Sequence, residues 1–228
     1  KADFIITPSE YSKQLIQSYG VKTPIVAVSN GIDLSKYKKD PKKEEVFRKH
    51  FNIQEGEKVV LCAGLYFRRK GIEDFVEVAR RMPDVRFIWL GSINKWLIPR
   101  AIRRLVEKDH PSNVEFPGYF KGAVFQGAMT GADAFFFPSY EETEGIVVLE
   151  ALAGHQHVVL RDIPVYHGWV DQESAELCHS VDEFVDSLEK VLSGQVDKRD
   201  AGDRVAQSRS IDLVADQLVK AYQQVLEM

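Results

Sequence analysis

The chain has 228 residues, a formal net charge of −4 and 44% hydrophobic residues, enough for one large α/β domain or a domain with an appendage. The mild acidity gives no reason to expect a nucleic-acid partner, and no apolar run is long enough to span a membrane. Cys62 and Cys178 lie in apolar, strand-like runs and are expected to be buried free thiols of a reducing, cytoplasmic compartment rather than a disulfide.

The chain opens on Lys1-Ala-Asp-Phe directly into a strand-like run, which is expected of a piece of something longer. Residues 4–8 form a short strand. Ser9 caps a helix over 10–19, and Gly20 stops it. Residues 25–29 form a second strand, followed by the turn Asn30-Gly-Ile-Asp33. Residues 36–45 are rich in Lys, Asp and Glu without apolar period, so they are expected to be a solvated connection and a boundary. A helix over 44–51 follows.

From there strands and helices alternate. Strands are expected at 58–63, 85–90, 114–116, 134–137, 158–160 and 175–177. Helices are expected at 71–82, 98–107, 121–129, 145–154, 184–192 and 211–227. The helix at 71–82 places Ile72, Phe75, Val76, Ala79 and Met82 on one face. Near-continuous apolar strands separated by amphipathic helices predict a Rossmann-like parallel sheet covered on both faces. In such sheets ligands bind beyond the carboxyl ends of the strands.

The segments leaving those ends carry the chemistry. Phe135-Phe-Phe-Pro-Ser-Tyr-Glu-Glu-Thr-Glu-Gly145 runs from a buried strand into an apolar helix that closes at Gly154. A helix start offers free N–H groups and a positive dipole end, an anion site centred on Gly145 and Ile146. Glu150 lies roughly 7–8 Å further along, at about 1.5 Å per residue. That matches the reach from a diphosphate to its ribose, so Glu150 is expected to hold a ribose diol and Glu142 the other sugar. Two solvated surface acids are the alternative.

After the strand ending at Ala63, Gly64-Leu-Tyr-Phe-Arg-Arg-Lys-Gly71 places Arg68, Arg69 and Lys70 at another helix start. Cations are out of place there unless something negative joins them, and Arg with Lys suits a diphosphate. A merely solvated basic loop is the alternative. Pro117-Gly-Tyr-Phe120 leaves backbone groups near Gly118 and Tyr119 that could read a planar base, or forms an ordinary turn. The pair His155 and His157 lacks a third ligand, so no metal and no cofactor are expected. The basic stretch 94–104 carries Trp96 and Leu97 beside Arg100, Arg103 and Arg104. It is either a membrane-surface patch or a sheet-covering helix with a wet basic side.

Taken together, these motifs resemble the retaining family-4 glycosyltransferases of the GT-B fold, in which two Rossmann-like halves face each other. Ala2-Asp-Phe-Ile-Ile-Thr-Pro-Ser-Glu-Tyr11 resembles the end of the N-terminal half, and Val28-Ser-Asn-Gly-Ile-Asp33 its linker. Glu142 and Glu150, with seven residues between them, are similar to the family's most specific signature. The resemblance implies that residues 1–40 are the end of the N-terminal half and the linker, and that 41–228 are the nucleotide-sugar-binding domain. It implies ribose binding by Glu150 and donor-sugar contact by Glu142. The diphosphate would fall to Lys70 and the amides at Gly145 and Ile146, and the base to Gly118 and Tyr119. Leu65 stands where members commonly carry Arg, with Arg68 or Arg69 as replacements; Glu144 and His157 also depart from the pattern.

The basic loop and Arg161-Asp-Ile-Pro-Val-Tyr-His-Gly-Trp169 look most like bacterial diacylglycerol glucosyltransferases. The implied reaction moves glucose from UDP-glucose, with retention, to a lipid hydroxyl of diacylglycerol. The implied place is peripheral, on the inner face of the cell membrane. A polysaccharide acceptor, a non-catalytic nucleotide-sugar module, or a hydrolase pairing Glu142 with Glu150 are the alternatives.

Overall fold

In a computed structural model, which describes residues 2–227, the chain forms two parallel sheets. Lys1 and the side chain of Lys95, which belong to the opening segment and the basic stretch read above, lie outside that description. The smaller sheet pairs β1 (Ile5–Thr7) with β2 (Ile25–Ala27) across α1 (Glu10–Ser18). Ser9 caps α1 as expected, its Oγ accepting from the Ser12 amide at 3.1 Å.

The larger sheet contains β3 (Val59–Ala63), β4 (Arg86–Leu90), β5 (Val114–Gly118), β6 (Ala134–Phe137), β7 (Val158–Arg161) and β8 (Glu176–Cys178). Their order is β5-β4-β3-β6-β7-β8, all parallel. Every residue of β3, β6 and β7 is buried, which is why these strands carry no polar alternation. The expected Rossmann-like architecture is thus present. Strand order reverses between β3 and β6, so the crevice beyond Ala63 and Phe137 is the topological switch point.

Helices α2 (Pro41–His50), α3 (Ile72–Arg81), α4 (Arg100–Glu107), α5 (Ala123–Gly131), α6 (Ile146–Ala153), α7 (Val181–Leu192), α8 (Arg199–Gln207) and α9 (Ile211–Leu226) cover the sheet and close the chain. In the core, Phe75 of α3 meets Phe87, Trp89 and Phe136 with ring centroids 5.4, 5.0 and 5.8 Å away. Each fully buried ring of this kind contributes roughly 1.5–3 kcal/mol. Both cysteines are buried and free.

Two expectations need correction. Residues 36–45 are not simply a solvated connection: Leu34–Tyr37 form a 3-10 turn capped by Asp33, and α2 already starts at Pro41. Asp40 accepts from the Lys42 amide and Pro41 supplies a preset φ at the first helical position, a start signal that outweighs the missing apolar period. The second correction is α8, which sequence periodicity does not announce. Its packing stripe is narrow, formed by Gly202 and Ala206; a β-carbon on Gly202 would come within 2.7 Å of Leu152 in α6.

The turn before α6 is tied to distant parts of the chain. Ser9 and Ser12 hydroxyls donate to the Thr143 carbonyl at 2.6 and 3.0 Å. Glu144, only 1% exposed, accepts from the Ser29 hydroxyl, the Asn30 amide at 3.0 Å, Asn30 Nδ2 at 2.6 Å and Arg209 Nη1 at 3.2 Å. Removing one partner of a buried ion pair strands the other charge and costs about 3–5 kcal/mol. Glu144→Ala is therefore expected to lower unfolding free energy by about that amount in urea titrations. A loss below about 1 kcal/mol would show that the anchor carries no weight.

Candidate active site

A cavity of about 630 Å³ opens at the switch point. Its lining includes Lys70, Arg69, Gly91, Glu142, Gly145, Ile146, Glu150 and Tyr119, so residues from four strand ends converge on one space. Two of the nominated positions fall outside it. Arg68 turns away, its Nε bonded to Glu73 Oε2 at 2.8 Å with the side chain mostly in solvent. Gly118 uses its own groups internally: its amide donates to Tyr66 Oη at 3.2 Å and its carbonyl accepts from the Gly91 amide at 2.8 Å. Of this turn, Tyr119, which is 72% exposed, and Phe120 line the cavity.

The basic loop after β3 folds as a 3-10 turn, Arg68–Lys70, and Gly71 follows at φ 78°. A β-carbon on Gly71 would collide with the Pro138 carbonyl oxygen at 2.3 Å, so only glycine lets the two corners after β3 and β6 touch. Across that contact the Lys70 ammonium pairs with Glu142 Oε1, which also accepts from Ser139 Oγ at 2.7 Å. Arg69 clips the same loop through Nη1 to the Glu141 carbonyl at 2.8 Å. The negative group expected to relieve the cation cluster is thus partly supplied by the chain's own Glu142.

Helix α6 starts at Gly145 in the left-handed region, φ 89°, with no side-chain cap. Its first residues, Gly145, Ile146 and Val147, line the cavity together with Lys70, and an uncapped helix start favours an anion. One turn on, Glu150 is the single acid in an otherwise apolar helix. Burial raises its carboxyl above the usual 4.5, against the opposing pull of the Tyr37 hydroxyl and of Lys36. The Tyr37 hydroxyl donates to Glu150 Oε1, which leaves Oε2 for a ligand. Tyr37 is buried and lies in the stretch read as solvated; a lone aromatic just past the Asp33 cap is the signal that could have marked it. Ser139, Asn30 and Lys121 also belong to the site or its lining, without a sequence signal of their own.

A larger cavity, about 960 Å³, lies at the opposite sheet edge, lined by residues that precede β6 and β7. Two of its cations, Lys58 and Arg199, are already paired with Asp133 and Asp197, at 2.9 and 2.5 Å. His155 and His157 lie there too. Among the described residues no group of three or more His, Cys, Asp or Glu side chains is placed to hold a metal. The loop leaving β4, whose first residues Gly91 and Ser92 line the smaller cavity, carries Trp96 and Leu97, 75% and 70% exposed. Arg103 lies 5.4 Å over the Trp96 ring, and Arg104 pairs with Asp109. Among the described residues no helix is long and apolar enough to cross a membrane.

Comparison with known proteins identifies the setting of this cavity. Residues 43–208 match the family described as glycosyl transferases group 1. A processive diacylglycerol alpha-glucosyltransferase from Acholeplasma laidlawii is 50% identical over the whole chain, which spans 69% of that relative. Among solved structures, a sucrose-phosphate synthase from Thermosynechococcus elongatus superposes with a TM-score of 0.86 at 20% identity, over all of this chain and 59% of the other. The Anabaena protein HepE, solved with UDP-glucose, gives 0.85 at 17% identity over 98% of this chain and 64% of its own. The chain belongs to the group 1 glycosyl transferases, and its sheet is that of a GT-B glycosyltransferase.

Proposed function

We propose that the chain is the donor-binding part of a retaining glucosyltransferase that moves glucose from UDP-glucose to a hydroxyl of diacylglycerol or of a glycosylated diacylglycerol. One observation carries this reading. Lys70, the uncapped start of α6, Glu150 and Tyr119 line a single cavity at the switch point. The relative's alpha-glucosyl product supports glucose and retention, since the glucose of UDP-glucose is itself alpha-linked. The UDP-glucose bound by HepE, a protein of the same fold, supports the donor.

In this reading the chain contributes electrostatics rather than a side-chain base. As the sugar–phosphate bond breaks, negative charge grows on the leaving diphosphate. The Lys70 ammonium and the start of α6 stand on the wall of the cavity to meet it. Glu150 Oε2 accepts from the ribose hydroxyls while Tyr37 holds Oε1. Glu142 accepts from hydroxyls of the transferred sugar. A hydrolase pairing the two acids would leave the uncapped start of α6 without a task. The acceptor is placed by the rest of the protein, so the chain alone binds donor without turnover. Trp96, Leu97, Arg100 and Arg103, in and after the loop leaving β4, suit an anionic lipid surface at the inner face of a membrane.

Calorimetric titration of the chain with UDP, GDP and ADP tests the donor. UDP is expected to bind, and absence of heat with all three would overturn the reading. Lys70→Ala is expected to cost ~2–3 kcal/mol of UDP affinity, the range for a hydrogen bond to a charged group. It also strands Glu142, which lowers stability by about 3 kcal/mol, and Glu142→Gln in the same chain recovers most of that.

The Glu150 carboxyl gives a pH signature. Because its pKa is raised in the folded state, the ligand-free fold holds that proton more tightly than the unfolded chain does. The contribution is fully present below its usual 4.5 and is lost as pH climbs through the raised value. Glu150→Gln removes this dependence. Urea midpoints of variant and parent are expected to converge near about pH 4 and to separate in the variant's favour by about pH 7. A difference that stays constant with pH would contradict the assignment.

A further inference from the structure

Arg161 is the last residue of β7, and no part of the site described above uses it: it does not line the cavity. Its side chain is buried, with the guanidinium carbon 3.9 Å over the Tyr140 ring and 5.0 Å over that of Phe184. Stability alone gives little reason for such a group. A buried ion pair recovers roughly what its charges lost in hydration, and apolar side chains of similar volume often serve as well. What an apolar side chain does not offer is a rigid fork of donors that bonds several elements at once.

The fork of Arg161 reaches both corners that build the site. Nε donates to the Pro138 carbonyl at 3.1 Å, and Nη2 pairs with Asp74 Oδ2 in the first turn of α3. Nη1 reaches the His179 carbonyl, just past β8, at 3.4 Å. The Pro138 oxygen is also the atom against which Gly71 packs, since a β-carbon there would stand 2.3 Å from it. The Tyr140 hydroxyl donates to the same Asp74 oxygen at 2.6 Å, and the Tyr140 amide to the Arg69 carbonyl at 2.8 Å. One guanidinium therefore fastens the loop that leaves β6, ahead of Glu142, to the helix that starts just after Lys70. The meeting of Lys70 with Glu142 is set across that joint.

We propose that Arg161 is a positioning residue for the donor diphosphate: it holds the corners after β3 and β6 in register and thereby keeps Lys70 where the diphosphate meets it. It acts through those corners and not by touching the ligand. The inference rests on the donor-site reading above and adds a residue to it.

The test is calorimetric titration of UDP into the parent chain, Arg161→Lys, Lys70→Ala and the double variant, each well below the melting temperature found for it in thermal melts. Arg161→Lys keeps the charge opposite Asp74, but a single ammonium does not hold Pro138 and Asp74 together in the fork geometry. Its UDP affinity is expected to fall about tenfold, the equivalent of one well-placed contact to a charged group. On the Lys70→Ala background the same substitution is expected to change affinity by less than about twofold, because the group it positions is gone. Asp74→Asn is the second variant and is isosteric. Removing a negative charge by itself favours an anion, so a fall in UDP affinity there reads position rather than charge. That fall is expected to be about fivefold and to vanish without Lys70. Where Arg161→Lys does not fold, Asp74→Asn alone decides. UDP affinity within about twofold of the parent in the folded variants overturns the proposal. So does a loss that recurs undiminished on the Lys70→Ala background, which marks a purely structural role. If the parent binds no UDP, the donor-site reading falls and takes this inference with it. If the parent binds UDP and only Lys70→Ala weakens it, the role of Arg161 alone falls.

Discussion

The ion pair between Lys70 and Glu142 sits where strand order reverses, and the site is built around it. The two residues leave β3 and β6, adjacent strands whose following helices diverge, and they meet because Gly71 lets the chain pass against Pro138. A cation and an anion held in contact at a cavity wall offer a ligand two opposite handles. In the proposed donor site the ammonium is the handle for a phosphate and the carboxylate that for sugar hydroxyls. The pair also explains how three consecutive basic residues can open a helix without a bound anion. Arg68 pairs with Glu73, Arg69 takes a main-chain carbonyl, and Lys70 takes Glu142.

The two glutamates of the region are specialised by their surroundings rather than by their chemistry. Glu142 lies in a loop with a cation and a hydroxyl on one oxygen. Glu150 lies in an apolar helix, faces a tyrosine, and pays in solvation for being charged. An acid placed so is favoured only when hydroxyl donors arrive, which is what a ribose provides. The same helix has its uncapped start at the other end, so in the proposed donor site one element of eight residues meets both the anionic and the neutral part of the ligand.

Much of this was legible in the chain itself, for identifiable reasons. Strands such as Val59–Ala63 and Ala134–Phe137 are apolar throughout, a pattern that a parallel sheet buried on both faces requires. Glycines at 71, 145 and 154 marked the helix limits. The convergence of Lys70, Gly145 and Glu150 followed from the rule that strand carboxyl ends share one edge. What stayed hidden depends on partners far apart in sequence. Tyr37 looked like part of a wet linker because its partner Glu150 is 113 residues away. Arg68 and Lys70 are indistinguishable by type, and only the geometry of the 3-10 turn sends one outward and the other inward. Helix α8 has too narrow an apolar stripe to register as periodic, since a glycine is one of its two buried positions.

The residues on either side of the cavity wall carry one more implication. Thr143 is held by hydroxyls of α1, and Glu144 by Ser29, Asn30 and Arg209, while the next residue, Gly145, presents the amides of α6. The early part of the chain and the phosphate-facing turn therefore share a mechanical linkage only two residues long. Any displacement of residues 9–30 relative to the large sheet must either drag that turn or break the bonds to it. Linkage then works in both directions: a ligand that fixes the turn also restricts where the preceding segment can go, and a segment locked in place sharpens the grip on the ligand.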